Sequence, residues 1–383
     1  MTAYITSIGK FLPGEPVPSE RIEEYIGAVG GGSSELRDLV VKNSGIRQRH
    51  YAIDQSQRTV YSNTELCRRA IEDAVGRRGI AVDDVGLLVA STSAPDLMGP
   101  AHATMLHGEL WSTPAETLSV SGLCCSGMGA MKAAYSQVEN GDHPNALVST
   151  SELVSRLFKS SQYEENGLAE DGSLDFDVAF LRYMLSDAAA ATIVENRPAP
   201  EGLSLRIEWV SLTSYAHVTK PCMYVGSRDQ TLERTWQDYP TFGEAASDGA
   251  MALRQDMRLL PRLVKTGAEE YQRLAGLGMI DADEIDHVAV HYSSETLRPF
   301  AQREFARRGL DIREERWFSN LPTVGNVGCA AIYLILEEML ASGRIEEGQK
   351  VLCFIPESGR FTISFMLLTA VGPGADGDGS TAR

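Results

Sequence analysis

Short apolar runs at Val85–Ser91, Thr117–Ser121, Ala146–Thr150, Ala189–Val194, His287–His291, Val351–Ile355 and Phe361–Thr369 predict strands. Between them, Asn63–Arg78, Gly127–Glu139, Gly249–Ala275 and Ala330–Ser342 repeat their apolar positions at helical spacing. Strands and helices in alternation predict an α/β protein whose sheets are buried on both faces.

The pattern also repeats itself after roughly 200 residues, far beyond a solenoid period. VGLLVASTS at Val85–Ser93 is echoed by IDHVAVHYS at Ile285–Ser293, and the segment from Thr117 to Thr150 by that from Trp317 to Phe354. Each long segment reads as strand, glycine-bearing turn, helix, acidic loop and strand. The expectation is two similar halves, 1–196 and 197–372, joined near Asn196–Gly202, followed by a disordered polar tail, 373–383. In this overlay Cys125 and Asn326 fall at matching helix starts, and His291 ends the strand that matches the one ending at Ser91. Ligands of open α/β sheets sit at the carboxyl ends of the strands, so the three residues can meet in one cleft.

Composition narrows the function. The chain of 383 residues is 43% hydrophobic, enough for a large core, and its 35 basic against 52 acidic residues give a formal net charge of −17. That balance argues against a general nucleic-acid binder. No apolar run approaches the roughly 20 residues that span a bilayer, and the opening MTAYITSIGKFLPGEP lacks the features of a secretory leader. The expectation is a cytoplasmic protein with neither nucleic acid nor membrane as partner. Six scattered cysteines form neither a disulfide framework nor a zinc pattern, so no metal is expected. The glycines of Gly27–Ser34 lack the Gly-Lys-Ser/Thr of a phosphate loop.

Candidate chemistry centres on TLSVSGLCCSGMGAM at Thr117–Met131. A thiol at a helix N-terminus feels the positive end of the macrodipole, which favours thiolate. Cys125 is placed at that start and is read as the nucleophile, with Cys124 as a packing residue. Taken singly, His291 reads as a hydrogen-bonded strand-edge histidine and Asn326 as a turn or cap residue; only the combination is specific.

An ordered set of motifs resembles β-ketoacyl-acyl carrier protein synthase III, within the thiolase-like superfamily. SGIRQRHYA at Ser44–Ala52, VASTSAPDLMGPA at Val89–Ala101, SGLCCSGMGA, LSDAAAATIVE with Asp187, VAVHYSS with His291, and GNVGCAA with Asn326 follow the family's order from about residue 3 to 370. The resemblance implies a thiolase-like fold, two similar halves stacked in five αβαβα layers, and a homodimer without a cofactor. It further implies that Cys125 accepts an acyl group from acyl-CoA or acyl carrier protein. His291 and Asn326 then stabilise the enolate of a malonyl-type thioester, and the N–H groups of Cys125 and Gly359 form an oxyanion hole. Met128, Glu357 and Ser294 fall at substrate-binding positions.

The chain departs from the family in places. Leu39 and Asn43 stand where an aromatic residue and an arginine hold CoA, which favours a carrier-protein donor. Arg254, Arg258, Arg262 and Lys265 recur at helical spacing and offer a face for an acidic carrier protein. Glu357 replaces a gating Phe and suits a polar or amine-bearing acyl group. These departures point to specialised metabolism, polyketide or fatty-acyl-derived. Two other functions remain open: a non-condensing acyltransferase of the same fold with His291 as base, and an inactive partner subunit.

Overall fold

The computed structural model describes residues 1–29, 33–163 and 174–374. The end of the polar tail and the glycines at 30–32 lie outside the described residues. Ten strands form the main sheet: β1 (Tyr4–Phe11), β2 (Leu87–Thr92), β3 (Glu116–Ser121), β4 (Asn145–Glu152), β5 (Ala188–Glu195), β6 (Ser204–Ser214), β7 (His287–Val290), β8 (Trp317–Phe318), β9 (Lys350–Glu357) and β10 (Thr362–Val371). Their order is β8-β7-β9-β10-β6-β1-β5-β4-β2-β3. Read outward from the β1–β6 seam, each set of five has the same order and the same mixture of parallel and antiparallel pairs. The seam itself is short: Tyr4 faces Arg206 and Ile5 faces Leu205.

Alternation along each strand divides the core into layers. Leu88 and Ala90 of β2 pack with α1 (Asn63–Arg78) and α2 (His102–Leu110), while Leu87 and Val89 face inward. The inward space holds α3 (Ser126–Asn140) and, as further helices of the chain, α4 (Leu260–Gly276) and α5 (Arg298–Ala306) cover the outer face of the second strand set, while α6 (Ala331–Ala341) joins α3 in the middle. The result is five layers, helix–sheet–helix–sheet–helix, as the resemblance implied. The sequence of α6, AIYLILEEMLA, is apolar around most of its circumference because both sheets touch it. The two middle helices approach closely at Gly127, where a Cβ would lie 2.4 Å from the Cys329 carbonyl oxygen.

Helix ends follow local chemistry. The Ser62 side chain accepts the Glu65 N–H at the start of α1, and Gly79 ends it in the left-handed region. The predicted helix at Gly249–Ala275 is corrected: α4 starts at Leu260, with a strand pair at Arg254–Gln255 and a single turn at Met257–Leu259 before it. Asp256 accepts the Arg258 N–H and so caps that turn, and Pro261, which lacks an N–H, belongs in a helix's first turn.

Candidate active site

Three strand ends and two helix heads meet at the carboxyl edge of the sheets. β3 ends at Ser121, and the turn through Leu123 and Cys124 delivers Cys125 as the N-cap residue of α3. Ser126 fixes that turn, donating to the Leu123 carbonyl at 2.6 Å and accepting from Ser91 at 2.8 Å. In the second half, His291 extends β7 by donating its backbone N–H to Phe354 at 3.1 Å. Asn326 precedes the turn into α6, and its carbonyl accepts the Ser186 N–H at 2.9 Å.

A cavity between the halves brings Cys124, His291 and Asn326 together. Ser93 and Glu152 add polar groups from the first half, and Leu263, Val264 and Phe354 give an apolar wall from the second. Cys125 does not border it. Its thiol turns to the other side and donates to the carbonyls of Ile355 at 3.2 Å and Thr362 at 3.4 Å. Of the two adjacent cysteines, the one read as packing is half-buried and faces the cavity, and the one read as nucleophile is enclosed between the sheets. The expected oxyanion donor is also engaged, because the Cys125 N–H donates to Glu357 Oε2 at 2.9 Å.

The thiols do not ionise readily. Burial first, then the Glu357 carboxylate, push both Cys124 and Cys125 well above the ordinary cysteine range. A helix N-terminus supplies roughly 0.3–1 kcal/mol in favour of an anion, whereas burial shifts a thiol the other way, by up to about 3–5 pKa units where it is complete, as at Cys125, and by less at half-buried Cys124. Burial wins, and the expected thiolate is corrected to a neutral thiol. Burial likewise pushes His291 down to about 4, so its ring is neutral near pH 7. The Asn326 Oδ1 accepts the Gly328 N–H at 3.1 Å, which leaves the amide N–H groups to serve the cavity.

Glu152 and Ser93 were not singled out from sequence. Glu152 is buried at the end of β4, accepts the Cys329 N–H at 3.1 Å and is hydrogen-bonded by Ser93. It faces Gly328, which has φ +46° and whose Cβ would lie 2.4 Å from Glu152 Oε1. A glutamate at the carboxyl end of a predicted strand, in TSELV, was the available signal.

Other expected residues separate. Met128 is fully buried in the middle layer, beside Tyr333, and cannot touch a substrate in the cavity. Ser294 is spent locally, donating to the Asn43 carbonyl at 3.0 Å and capping the next turn, while its neighbour Ser293 borders the cavity. Gly359 lies beside Leu123 and Glu357, and its carbonyl accepts the Cys222 N–H at 2.8 Å. Arg254 is paired with Asp175 at 2.9 Å and largely covered, so it offers no face to a carrier protein. Arg258 and Arg262 border a surface cleft with Lys220 and Phe361, although Arg258 also pairs with Asp256. Asp187 is a buried tie between segments: it accepts the N–H groups of Ala52 at 2.8 Å and Ser155 at 3.0 Å, and burial pushes it up to about 6.

Comparison with known proteins agrees with this architecture. Residues 278–359 match the family model for the C terminal of 3-oxoacyl-[acyl-carrier-protein] synthase III. The chain is 24% identical over 353 residues to the β-ketoacyl-[acyl-carrier-protein] synthase III of Dinoroseobacter shibae, covering 91% of this chain and 93% of that one. Among solved structures, AbyA1, a tetronic acid condensing enzyme, superposes with a TM-score of 0.76 at 20% identity, covering 96% and 99% of the two chains. The 3-oxoacyl-(acyl carrier protein) synthase III of Pseudomonas aeruginosa superposes with a TM-score of 0.70 at 19% identity, covering 96% and 98%. The fold is thiolase-like, and the chain is similar over nearly its whole length to proteins named β-ketoacyl-[acyl-carrier-protein] synthase III.

Proposed function

We propose that this β-ketoacyl synthase III-like enzyme loads an acyl group onto Cys124 and then lengthens it by decarboxylative condensation. The observation that carries the reading is that Cys124, His291 and Asn326 border one cavity. In the first step the Cys124 sulfur attacks the donor thioester, the thiol proton passes to the departing thiol, and an acyl-Cys124 thioester forms. In the second, a malonyl-type thioester loses carbon dioxide; the neutral His291 ring and the Asn326 amide donate to its carbonyl oxygen as enolate charge develops. The enolate carbon attacks the acyl carbonyl, the Cys124–carbonyl bond breaks, and the thiol is regained by protonation. Retention of the Asn326 amide as a donor favours condensation over simple acyl transfer.

The donor we assign is a carrier protein, since exposed Leu39 and Asn43 hold no CoA-binding chemistry while Arg258, Arg262 and Lys220 present positive charge beside Phe361. The likeness to a tetronic acid condensing enzyme supports a place in specialised metabolism. We also read the protein as a cytoplasmic homodimer, with residues 1–196 bearing the nucleophile and 197–372 bearing His291 and Asn326. An edge strand, β3, with half-exposed Leu118 and an unpaired side supports pairing with a second copy. Among the described residues no helix is long and apolar enough to cross a membrane.

Intact-protein mass spectrometry tests the reading. Incubation with acyl carrier proteins gives an acyl adduct, and malonyl carrier protein then discharges it as a longer chain with release of carbon dioxide. Discharge of the unchanged acyl mass onto another nucleophile would make the protein a simple acyltransferase.

A further inference from the structure

Along β9 the cavity wall passes through Phe354, Pro356 and, one residue past the strand, Ser358, every second side chain facing it. Glu357, between them, turns to the other face and accepts the Cys125 N–H, so the contact with a polar acyl group expected of it is corrected. These wall residues order the cavity from end to end. His291 joins it at Phe354, whose carbonyl takes the His291 N–H at 3.1 Å. The turn that carries Cys124 lies level with Pro356, because Cys125 bonds to Ile355 on one side of that residue and to Glu357 on the other. At Ser358 the wall passes to another segment: the Ser358 carbonyl accepts the Met223 N–H at 3.0 Å, and Met223 stands opposite Gln255 in a two-strand ladder. Phe354 and Ser358 are about 13 Å apart along an extended strand, with the thiol between them.

Gln255 faces the cavity. Its neighbours Arg254 and Asp256 turn the other way, to Asp175 at 2.9 Å and Arg258 at 2.8 Å, and its cross-strand partner Met223 borders the cavity with it. The residue is 1% exposed, and its amide Nε2 has no hydrogen-bond partner among the described residues. The amide lies near the Cys222 thiol, a weak acceptor whose own hydrogen goes to the Asp256 carbonyl at 3.3 Å. Its backbone is fixed, since the Asp256 N–H donates to Cys222 and the Cys222 N–H to Gly359, both at 2.8 Å. A buried donor left without an acceptor is costly, and this one is turned toward the place where substrate goes. Tyr292 also borders the cavity with a buried, unpartnered hydroxyl, but it follows His291 and belongs to the Phe354 end.

While His291 and Asn326 hold the carbonyl oxygen of the extender, the Phe354 end is taken, and the acyl group on Cys124 has the Ser358 end. We propose that Gln255 selects that acyl group: the preferred chain carries an oxygen acceptor, a ketone or a hydroxyl, to which the Gln255 amide donates. This rests on the reading in which Cys124 is acylated. A plain alkyl chain leaves the amide buried and unpaired, and sites built to hydrogen-bond a substrate oxygen reject the analogue that lacks it.

The test is the rate of Cys124 acylation from one acyl carrier protein bearing hexanoyl, 3-oxohexanoyl or 5-oxohexanoyl groups, followed by intact-protein mass spectrometry for the wild type, Gln255→Leu and Gln255→Met. A ketone only accepts, so it isolates the proposed bond. The wild type is expected to load one of the oxo chains about 5- to 100-fold faster than hexanoyl. Both variants lack the N–H and are expected to load hexanoyl fastest. Iodoacetamide labelling of Cys124, run in parallel, shows that each variant keeps an intact, reachable thiol. The carrier arm is common to all three donors, so a Gln255 that serves the arm instead of the acyl group slows all three alike when replaced. That result, equal loading by the wild type, or a preference unchanged in both variants overturns the proposal and leaves the acyl-enzyme standing. No adduct from any donor, with labelling intact, overturns both.

Discussion

The Glu152 carboxylate accepts the backbone N–H of Cys329 at 3.1 Å, so a side chain of the first half holds the loop by which the second half presents Asn326. Glu152→Ala leaves that N–H buried without a partner, at a cost of about 1–3 kcal/mol. The expected outcome is a lower melting temperature and a fall in condensation kcat larger than any change in KM, while acyl loading of Cys124 persists. Glu152→Gln, which still offers an acceptor, restores most of both. Equal losses in loading and condensation would show that Glu152 supports the fold alone.

Replacing the cysteines one at a time separates their roles. Cys124→Ala is expected to abolish the acyl adduct. Cys125→Ala, which removes a thiol bonded to the Ile355 and Thr362 carbonyls, is expected to keep it with some loss of stability. Peptide mapping of the adduct decides the matter, and an acyl group found on Cys125 would reverse the assignment.

Loss of an enolate-stabilising donor acts on the second step. His291→Ala and Asn326→Ala are each expected to lower malonyl decarboxylation by about 10²- to 10³-fold, with acyl loading less affected. Carbon dioxide release and adduct formation, measured on the same samples, give the two rates.

Burial of His291 has a pH signature. Its folded value of about 4 lies below the ordinary 6.5, so between these values the unfolded chain binds more protons, and stability falls as pH drops from about 6.5 to 4. Asp187 has the opposite sign, since its folded value of about 6 lies above the usual 3.8 and its contribution fades as pH rises through 6. Against this background, His291→Gln is expected to flatten the acid loss of stability by up to about 1.4 kcal/mol per pH unit in that window. Denaturant melts of wild type and variant at pH 6.5, 5.5 and 4.5, chosen as about evenly spaced points, read the difference.

Charge reversal at Arg258 and Arg262 is expected to raise KM for a carrier-protein donor severalfold and to leave the rate with a small thioester unchanged. Added salt should shrink the difference, as screening requires. Arg254→Glu, by contrast, breaks the covered pair with Asp175 and should lower the melting temperature instead.

Much of this was legible in the chain. Asn63–Arg78 was delimited to the residue because Ser62 and Gly79 cap it locally, and the echo between Val85–Ser93 and Ile285–Ser293 corresponds to matching strands β2 and β7. β1 and β6 escaped notice because YITSIGKF and SLRIEWVSLTS mix small polar residues into their alternation, and their pairing partners are remote in sequence. Local pattern puts Cys125 at the helix start, where the structure has it, but carries no information on which thiol borders the cavity. Both are thiols at one turn, and which of them faces the cavity depends on Ser91, Ser126 and Glu357, contacts assembled from three distant segments.

β1 stands at the centre of the ten-stranded sheet, between β5 and β6, although it lies among the earliest residues of the chain. During synthesis it must wait for Ala188–Glu195 before its first neighbour exists, a long-range closure of the kind that slows folding. The first five strands can then zip into a complete unit while the remainder is still on the ribosome. The second unit has no such freedom: its final strand, β10, inserts between β9 and β6, so a nascent or truncated chain lacking Thr362–Val371 is left with a gap in mid-sheet and two open edges.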